Sequence, residues 1–148
     1  MKRRRAKPAE AESKFIKVRG LNTHYLIGGE GPPLILIHGV ATTAEEAWAY
    51  NLQPLTQHYH VYAPDLVGHG QSDKPKVDYT QSFFATFFED FVRALGLKRV
   101  SLIGHSLGGE IAIAFTLNHP DKVQKLVLID SAGVEEGIAL PGRVLLSL

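Results

Sequence analysis

Ser106 stands at the centre of a short glycine-bounded pattern, Gly104-His105-Ser106-Leu107-Gly108. A serine in this pattern, set between a buried strand and a helix, is typical of a nucleophile that attacks a carbonyl carbon. The sharp turn strains the backbone at the serine, and the glycines leave room where side chains would collide with neighbouring elements. The N–H of Leu107, at the start of the helix, would face the negative charge that develops on the substrate oxygen. Ser106 is therefore the candidate nucleophile, and Leu107 is a candidate donor to an oxyanion hole.

The elements that must position this serine can be predicted from four short apolar runs. They are Leu34–Ile37, Tyr59–Ala63, Val100–Ile103 and Leu126–Ile129. Such runs predict strands that are buried on both faces of a parallel sheet. Helical patterns separate them at residues 43–55, 81–95 and 107–118. Strands alternating with helices imply right-handed crossovers and helices on both faces of the sheet.

An antiparallel hairpin is predicted ahead of the parallel strands. Two runs, Phe15–Val18 and His24–Ile27, flank the turn signal Arg19-Gly20-Leu21-Asn22. The predicted fold class is therefore α/β. It is a three-layer sandwich around a mostly parallel, six-stranded sheet that opens with an N-terminal antiparallel hairpin.

Local signals mark the ends of two helices. Thr43 is predicted as an N-cap, with Glu46 as its capping partner three residues later. Gly96 follows the apolar helical pattern of residues 81–95 and is predicted to terminate that helix.

Polar residues follow the predicted strands at the point where each strand ends. These residues are His38, Asp65, Ser106 and Asp130. In open α/β sheets, ligands bind beyond the carboxyl ends of the strands. We therefore expect these side chains to lie along one rim of the sheet.

Two further motifs accompany the serine pattern. His38-Gly39-Val40 follows the first apolar run, and residues 64–73 read Pro-Asp-Leu-Val-Gly-His-Gly-Gln-Ser-Asp. With these three motifs in this order, residues 15–132 resemble the N-terminal half of an α/β-hydrolase. The resemblance implies an α/β-hydrolase core that is C-terminally truncated in this sequence.

The resemblance also implies roles for the residues around the motifs. The residue after the His-Gly pair lends a backbone N–H to the oxyanion hole, which here is Val40. Gly39 lets the backbone come close to the substrate oxygen. His38 is implied to be mostly structural, and His105 is implied to face away from the nucleophile. No cofactor is implied, and no spacing of residues suggests a metal site.

Serine at position 106 narrows the expected chemistry. Related epoxide hydrolases and haloalkane dehalogenases carry aspartate at this place. Serine points to acyl transfer, which includes cleavage of esters, lactones, amides or thioesters. Hydrolysis of a carbon–carbon bond in a vinylogous diketone is also compatible, since the loop at residues 64–73 looks like that of esterases and of meta-cleavage-product hydrolases.

The serine needs a general base, and the base needs an orienting acid. In this superfamily the acid and then the histidine follow the serine along the chain. The segments that usually carry them are not among these 148 residues. Asp130 is a possible acid, and the alternative is that it only caps its strand. The remaining histidines have other expected places: His69 lies in the turn loop, and four are expected at the solvated surface. Those four are His24, His58, His60 and His119.

Three hypotheses account for a serine without its base. The sequence represents part of a serine hydrolase, or one half of a split enzyme with a complementary C-terminal half, or a non-catalytic protein that binds small molecules. Sequence beyond Leu148 would separate them, since a downstream Asp and a Gly-His pair support the first. The exposed edge of the strand Leu126–Ile129 also predicts self-association.

The composition predicts one globular domain without disulfides. The 148 residues contain no cysteine, which suits a cytoplasmic protein. Five basic residues lie within positions 2–7, and the rest of the chain has 11 basic and 15 acidic residues. Such an arm can bind nucleic acid or anionic lipid, but a solvated tail is the favoured interpretation, so no nucleic-acid partner is expected.

Residues 1–12 are assigned to this tail, 13–133 to the core, and 134–148 to the start of a cap or linker. No apolar run is long enough to span a membrane.

Overall fold

The computed structural model of the protein describes residues 11–133. The predictions for most of the basic tail and for the segment 134–148 lie outside the described residues. Within them, the chain alternates strands with helices in the predicted order.

Six strands form one mixed sheet, as predicted. They are β1 (Glu12–Val18), β2 (Leu21–Gly28), β3 (Pro33–Ile37), β4 (His60–Pro64), β5 (Val100–His105) and β6 (Val123–Ile129). Their order in the sheet is β1-β2-β4-β3-β5-β6. The β1–β2 and β2–β4 pairs are antiparallel, and the remaining pairs are parallel. The four parallel strands therefore end at the same rim of the sheet.

Helices cover both faces of the sheet. They are α1 (Ala44–Trp48), α2 (Leu52–Thr56), α3 (Gln81–Ala94) and α4 (Leu107–Asn118). Successive residues of β3 point to opposite faces. Ile35 and Ile37 pack in the cluster that holds the phenylalanines of α3, whereas Leu34 and Leu36 pack with Trp48 of α1. The three-layer sandwich is confirmed. No helix within residues 11–133 is long and apolar enough to cross a membrane.

The hairpin closes more tightly than the sequence pattern predicted. Only Arg19 and Gly20 separate β1 from β2, and their φ angles are 52° and 79°. Two consecutive positive φ angles match the right-handed twist of the flanking strands. Leu21 and Asn22, which were predicted as part of the turn, pair with Val18 and Lys17 instead.

The predicted helix at residues 43–55 is in fact two short helices. Thr43 accepts a hydrogen bond from the Glu46 N–H at 3.2 Å, so the N-cap prediction is confirmed. The Glu46 carboxylate accepts from the hydroxyl of Thr42 at 3.3 Å. Pro54 explains the interruption, because inside one continuous helix its ring would clash with the carbonyl four residues earlier. Proline is tolerated in the first turn of α2.

Gly96 ends α3 as predicted. Its φ is 70°, and its N–H donates to the Arg93 carbonyl at 3.0 Å. The N–H of Leu97 reaches the Val92 carbonyl at 3.4 Å. This pair of bonds satisfies two carbonyls that the last turn of a helix leaves without partners.

The prediction that Leu126–Ile129 is buried on both faces was wrong. These residues belong to β6, which is the outermost strand of the described sheet, with Val127 47% and Ile129 40% exposed. β5 occupies one edge of β6, and no strand in residues 11–133 pairs with its other edge. An apolar run shows that a strand suits burial, but neighbouring elements decide whether it is buried.

We predict that the 148-residue chain self-associates through the β6 edge. Unpaired backbone groups beside exposed apolar side chains are a template for pairing with another chain. Val127→Lys should shift the chain towards monomer in size-exclusion chromatography with light scattering. The matched control is Val77→Lys, since Val77 is 44% exposed and lies far from β6 in the chain. A wild-type chain that is monomeric at tens of micromolar would contradict the prediction.

Candidate active site

Ser106 lies on a strained turn between β5 and α4. Its φ of 51° and ψ of −117° are rare for a residue with a side chain. Surrounding hydrogen bonds hold this conformation. The Ser106 N–H donates to the Ile129 carbonyl at 3.1 Å, and the Ser106 carbonyl accepts from Ala132 at 3.1 Å and from Gly109 at 3.0 Å. The end of β6 therefore fixes the backbone from which the Ser106 hydroxyl projects.

Glycines around Ser106 allow β3, β5 and α4 to meet at van der Waals distance. A Cβ on Gly108 would overlap the carbonyl of Ile37 and come within 2.6 Å of the His38 carbonyl oxygen. A Cβ on Gly104 would lie 2.6 Å from the Cα of Gly109. These clashes involve backbone atoms, which cannot swing aside. The sequence argument for glycine on both sides of the serine thus has a specific steric cause.

Gly39 brings the end of β3 against the turn. A Cβ at this position would lie 3.1 Å from the Cβ of Ser106 and 3.2 Å from Nδ1 of His105. Val40, the next residue, is exposed. The segment predicted to supply an oxyanion donor therefore runs directly beside the candidate nucleophile.

Two backbone N–H groups near the serine have no acceptor among residues 11–133. Among the hydrogen bonds of the described part of the chain, none has the N–H of Val40 or Leu107 as donor. Leu107 is the first residue of α4, where an N–H has no partner within the helix. Both amides are available to an external acceptor.

The Ser106 hydroxyl has no histidine partner. All seven histidines of the sequence fall within residues 11–133, and none hydrogen-bonds the Ser106 side chain there. His105, its chain neighbour, is half-buried. A base for Ser106 is not assembled from these histidines in this structure.

His38 is fully buried and joins two loops. Its Nδ1–H donates to the Gly39 carbonyl at 2.6 Å, and its Nε2 accepts from the Leu66 N–H at 2.9 Å. Burial lowers the pKa of His38 below its ordinary value, outweighing the opposing effect of the Gly39 carbonyl. A neutral imidazole satisfies both bonds, so His38 ties the segment after β3 to the loop after β4.

The Asp65 carboxylate joins three separate segments of the chain near the rim of the sheet. Its carboxylate accepts from the Ala44 N–H at 2.8 Å, the Gln71 N–H at 2.9 Å and Nδ1 of His24 at 2.8 Å. Burial by itself would raise the pKa of Asp65, but the hydrogen bonds from Ala44, Gln71 and His24 lower it overall. Asp65 was predicted only as a residue at the rim. Its surrounding loop, with two glycines and a serine, was the signal that it anchors a turn.

The expectation that His24 lies at the solvated surface was wrong. His24 is 2% exposed, between the ring of Phe15 and the carboxylate of Asp65. A polar residue in an alternating strand suggests a solvent-facing position. Here Asp65, the residue after β4, supplies a buried carboxylate that satisfies the imidazole, so the His24 side chain can turn inwards.

Asp130 follows β6 with a φ of 42° and an exposed side chain. Its carboxylate has no hydrogen bond or ion pair with another described residue. The structure therefore shows Asp130 at the expected rim, and its role as an acid stays a prediction.

The sheet order, the strained serine and the glycine contacts define a class of protein. The family model for the alpha/beta hydrolase fold matches residues 32–143, and the chain belongs to this family. A relative from Metapseudomonas resinovorans, 2-hydroxy-6-oxo-6-(2'-aminophenyl)hexa-2,4-dienoic acid hydrolase, is 37% identical over 82% of this chain and 43% of its own.

Solved structures give the same result. A membrane phospholipase A matches with a TM-score of 0.82 and 39% identity, over 85% of this chain and 41% of that chain. A serine hydrolase involved in carbazole degradation matches with a TM-score of 0.80 and 35% identity, over 84% of this chain and 49% of that chain. The chain spans less than half the length of these relatives.

We predict that Gly108→Ala destabilises the fold. The added methyl meets fixed carbonyls of β3, and overpacking of this kind costs ~1–3 kcal/mol or more. The free energy of unfolding in urea is the measurement. Gly28→Ala is the matched control, because its nearest contact would be a side-chain methyl of Thr56 at 3.2 Å, which a shift of a few tenths of an ångström relieves. Equal losses in the two variants would contradict the steric argument.

We also predict that His38 makes the fold less stable in mild acid. Unfolded His38 takes up a proton near its ordinary pKa of 6.5, whereas the buried side chain does so only at lower pH. In that interval the unfolded state binds more protons, so the free energy of unfolding falls as the pH is lowered below 6.5. His38→Gln can still accept from Leu66 but does not titrate. Its stability should depend less on pH between 7 and about 5, and an unchanged dependence would contradict the prediction.

Proposed function

We infer that the protein of which this chain is part is a serine hydrolase in which Ser106 is the nucleophile. The Ser106 oxygen attacks the carbonyl carbon of an ester or related acyl substrate. The Ser106 proton passes to a general base and then to the leaving group. Water subsequently cleaves the acyl-serine, which returns the serine hydroxyl and releases the acid.

The strained turn is the observation that carries this proposal. It presents a serine hydroxyl at the end of a central strand, a conformation that local hydrogen bonding must hold in place. The backbone amides of Val40 and Leu107 have no acceptor in the part of the chain that the structure describes, which supports their use as an oxyanion hole. The match to a carbazole-degradation serine hydrolase supports the same chemistry.

The general base is proposed to come from outside these 148 residues. The histidines of this chain are engaged or placed elsewhere: His38 and His24 are buried in structural hydrogen bonds, and Nε2 of His119 bonds the Glu89 carboxylate at 2.6 Å. A further segment of the same polypeptide or a complementary C-terminal half could each supply the histidine. Asp130, exposed beside the turn that follows β6, remains the candidate acid of this chain.

We propose the class of bond that is cleaved, which is a bond to an acyl group. The names of similar proteins include a dienoic acid hydrolase and a phospholipase. Cleavage of an ester and cleavage of a carbon–carbon bond beside a carbonyl would each begin with attack of Ser106 on the carbonyl carbon, and each would need a stabilised oxyanion. The rim described here is compatible with either substrate.

We predict that the 148-residue chain hydrolyses p-nitrophenyl butyrate slowly and that imidazole accelerates the reaction. Without a base, Ser106 is a weak nucleophile, but an oxyanion hole alone retains acceleration of up to ~10³-fold over water in related systems. Added imidazole would accept the Ser106 proton. Release of p-nitrophenolate over many turnovers is the measurement.

Variants separate this activity from background catalysis. Ser106→Ala should abolish both the residual turnover and the imidazole-dependent increase above imidazole in buffer. Ser82→Ala removes an exposed serine on α3 and should leave both unchanged. Turnover in Ser106→Ala at the same rate as in the wild-type chain would exclude Ser106 as the nucleophile. Rapid turnover without imidazole would show that these 148 residues already hold a base.

A further inference from the structure

A second serine lies in a hydrogen-bonded chain with a histidine and an aspartate. The Ser13 hydroxyl is 2.6 Å from Nε2 of His24, and Nδ1 of the same ring is 2.8 Å from Oδ2 of Asp65. A hydroxyl on one ring nitrogen and a carboxylate on the other is the arrangement that activates a serine. Ser13 lies on β1, which β2, β4 and β3 separate from β5 and Ser106.

The surroundings of Asp65 set the direction of these bonds. Two backbone N–H groups and His24 hold the carboxylate in its ionised form, since together they lower its pKa. An ionised carboxylate only accepts, so Nδ1 of His24 carries the proton. In the neutral imidazole Nε2 is then the acceptor, and the Ser13 hydroxyl donates to it. The imidazole is therefore oriented as a general base for Ser13.

The Ser13 hydroxyl is open to solvent, whereas its base, His24, is buried. Ser13 is exposed, and the side chains of His24 and Asp65 are each 3% exposed. Burial fixes the ring, and exposure allows an acyl donor to reach the hydroxyl. Phe15, two residues along the same face of β1, is 55% exposed and has its ring centroid 5.1 Å from that of His24.

A polar donor lies beside the same ring nitrogen. The side-chain amide nitrogen of Gln71 is 3.5 Å from Nε2 of His24, and the Gln71 side chain extends from the exposed loop after β4. An amide N–H at this position can stabilise an oxyanion formed on a carbonyl that Ser13 attacks. The backbone N–H of Gln71 bonds Asp65, which fixes the start of that side chain.

We propose that Ser13 is a second nucleophile and that it becomes acylated by small activated esters, with His24 as the general base and Asp65 as a positioning residue. The Ser13 oxygen forms a bond to the carbonyl carbon of the ester, and the bond from that carbon to the leaving alkoxide or phenolate breaks. The Ser13 proton moves to Nε2 of His24 and leaves with the alcohol or phenol. The product is an O-acyl serine on an exposed edge strand.

The test is acetylation of the Ser106→Ala chain by p-nitrophenyl acetate, followed by site-resolved mass spectrometry of the serines. Ser13 should be acetylated at least about tenfold faster than exposed Ser82 in the same molecules. General-base catalysis typically accelerates a reaction by ~10²–10⁴-fold, so a tenfold ratio is a modest expectation. In concentrated urea the difference between Ser13 and Ser82 should vanish, because unfolding separates His24 from Ser13. The use of one molecule for both serines removes any uncertainty about folding of variants.

Two variants test the assigned roles. Gln71→Ala changes only an exposed side chain and should slow acetylation of Ser13 severalfold, without altering that of Ser82. His24→Gln can still hydrogen-bond but cannot act as a base, and it should reduce the rate at Ser13 to that at Ser82, with circular dichroism confirming the fold. Equal rates at Ser13 and Ser82 in the folded Ser106→Ala chain, or a Ser13 preference that persists in urea, would overturn the proposal.

Discussion

The close approach of α4 to the end of β3 is the constraint on which the candidate active site depends. Gly108 lies where any side chain would overlap the Ile37 carbonyl, so the first turn of α4 sits directly against the strand. This contact brings the first turn of α4, which begins at Leu107, close to the end of β3, and Gly39 in the segment that follows β3 lies directly beside Ser106. A larger residue would move the helix outwards and separate the two candidate oxyanion donors. Positional accuracy of this kind is what electrostatic stabilisation of an oxyanion requires.

Asp65 stabilises the same rim of the sheet at the end of β4. One buried carboxylate satisfies the N–H of Ala44 at the start of α1, the N–H of Gln71 in the following loop, and the ring of His24 in β2. A buried charge is tolerable only when hydrogen bonds compensate for lost solvation. Because its partners come from three separate elements, the compensation also fixes the positions of those elements. His38 acts in parallel by joining Gly39 to Leu66.

The surroundings of Ser106 and Ser13 give two residues of the same type different chemical reactivity. Ser106 has the strained backbone and two nearby amides without an acceptor in residues 11–133, but no histidine, whereas Ser13 lies on an ordinary strand and has the histidine and aspartate. A complete hydrolase site needs a nucleophile, a base and oxyanion donors at one point. In this chain the parts are distributed between two ends of the sheet. Family membership explains the first set, and the buried pairing of β2 with β4 creates the second.

The sequence alone was enough to predict the three-layer architecture, the order of the strands along the chain and the turn that carries Ser106. Apolar runs and the glycine pattern encode this local geometry directly. Burial was decided by the tertiary structure. His24 turns inwards only because Asp65, 41 positions away, meets its ring, and Val127 is exposed because β6 has a described partner on one side only. Pro54 was evidence in the sequence for the break after α1, but the helical pattern of residues 43–55 favoured one continuous helix. Local periodicity specifies which element forms, whereas contacts between distant residues specify what that element buries and which polar groups meet.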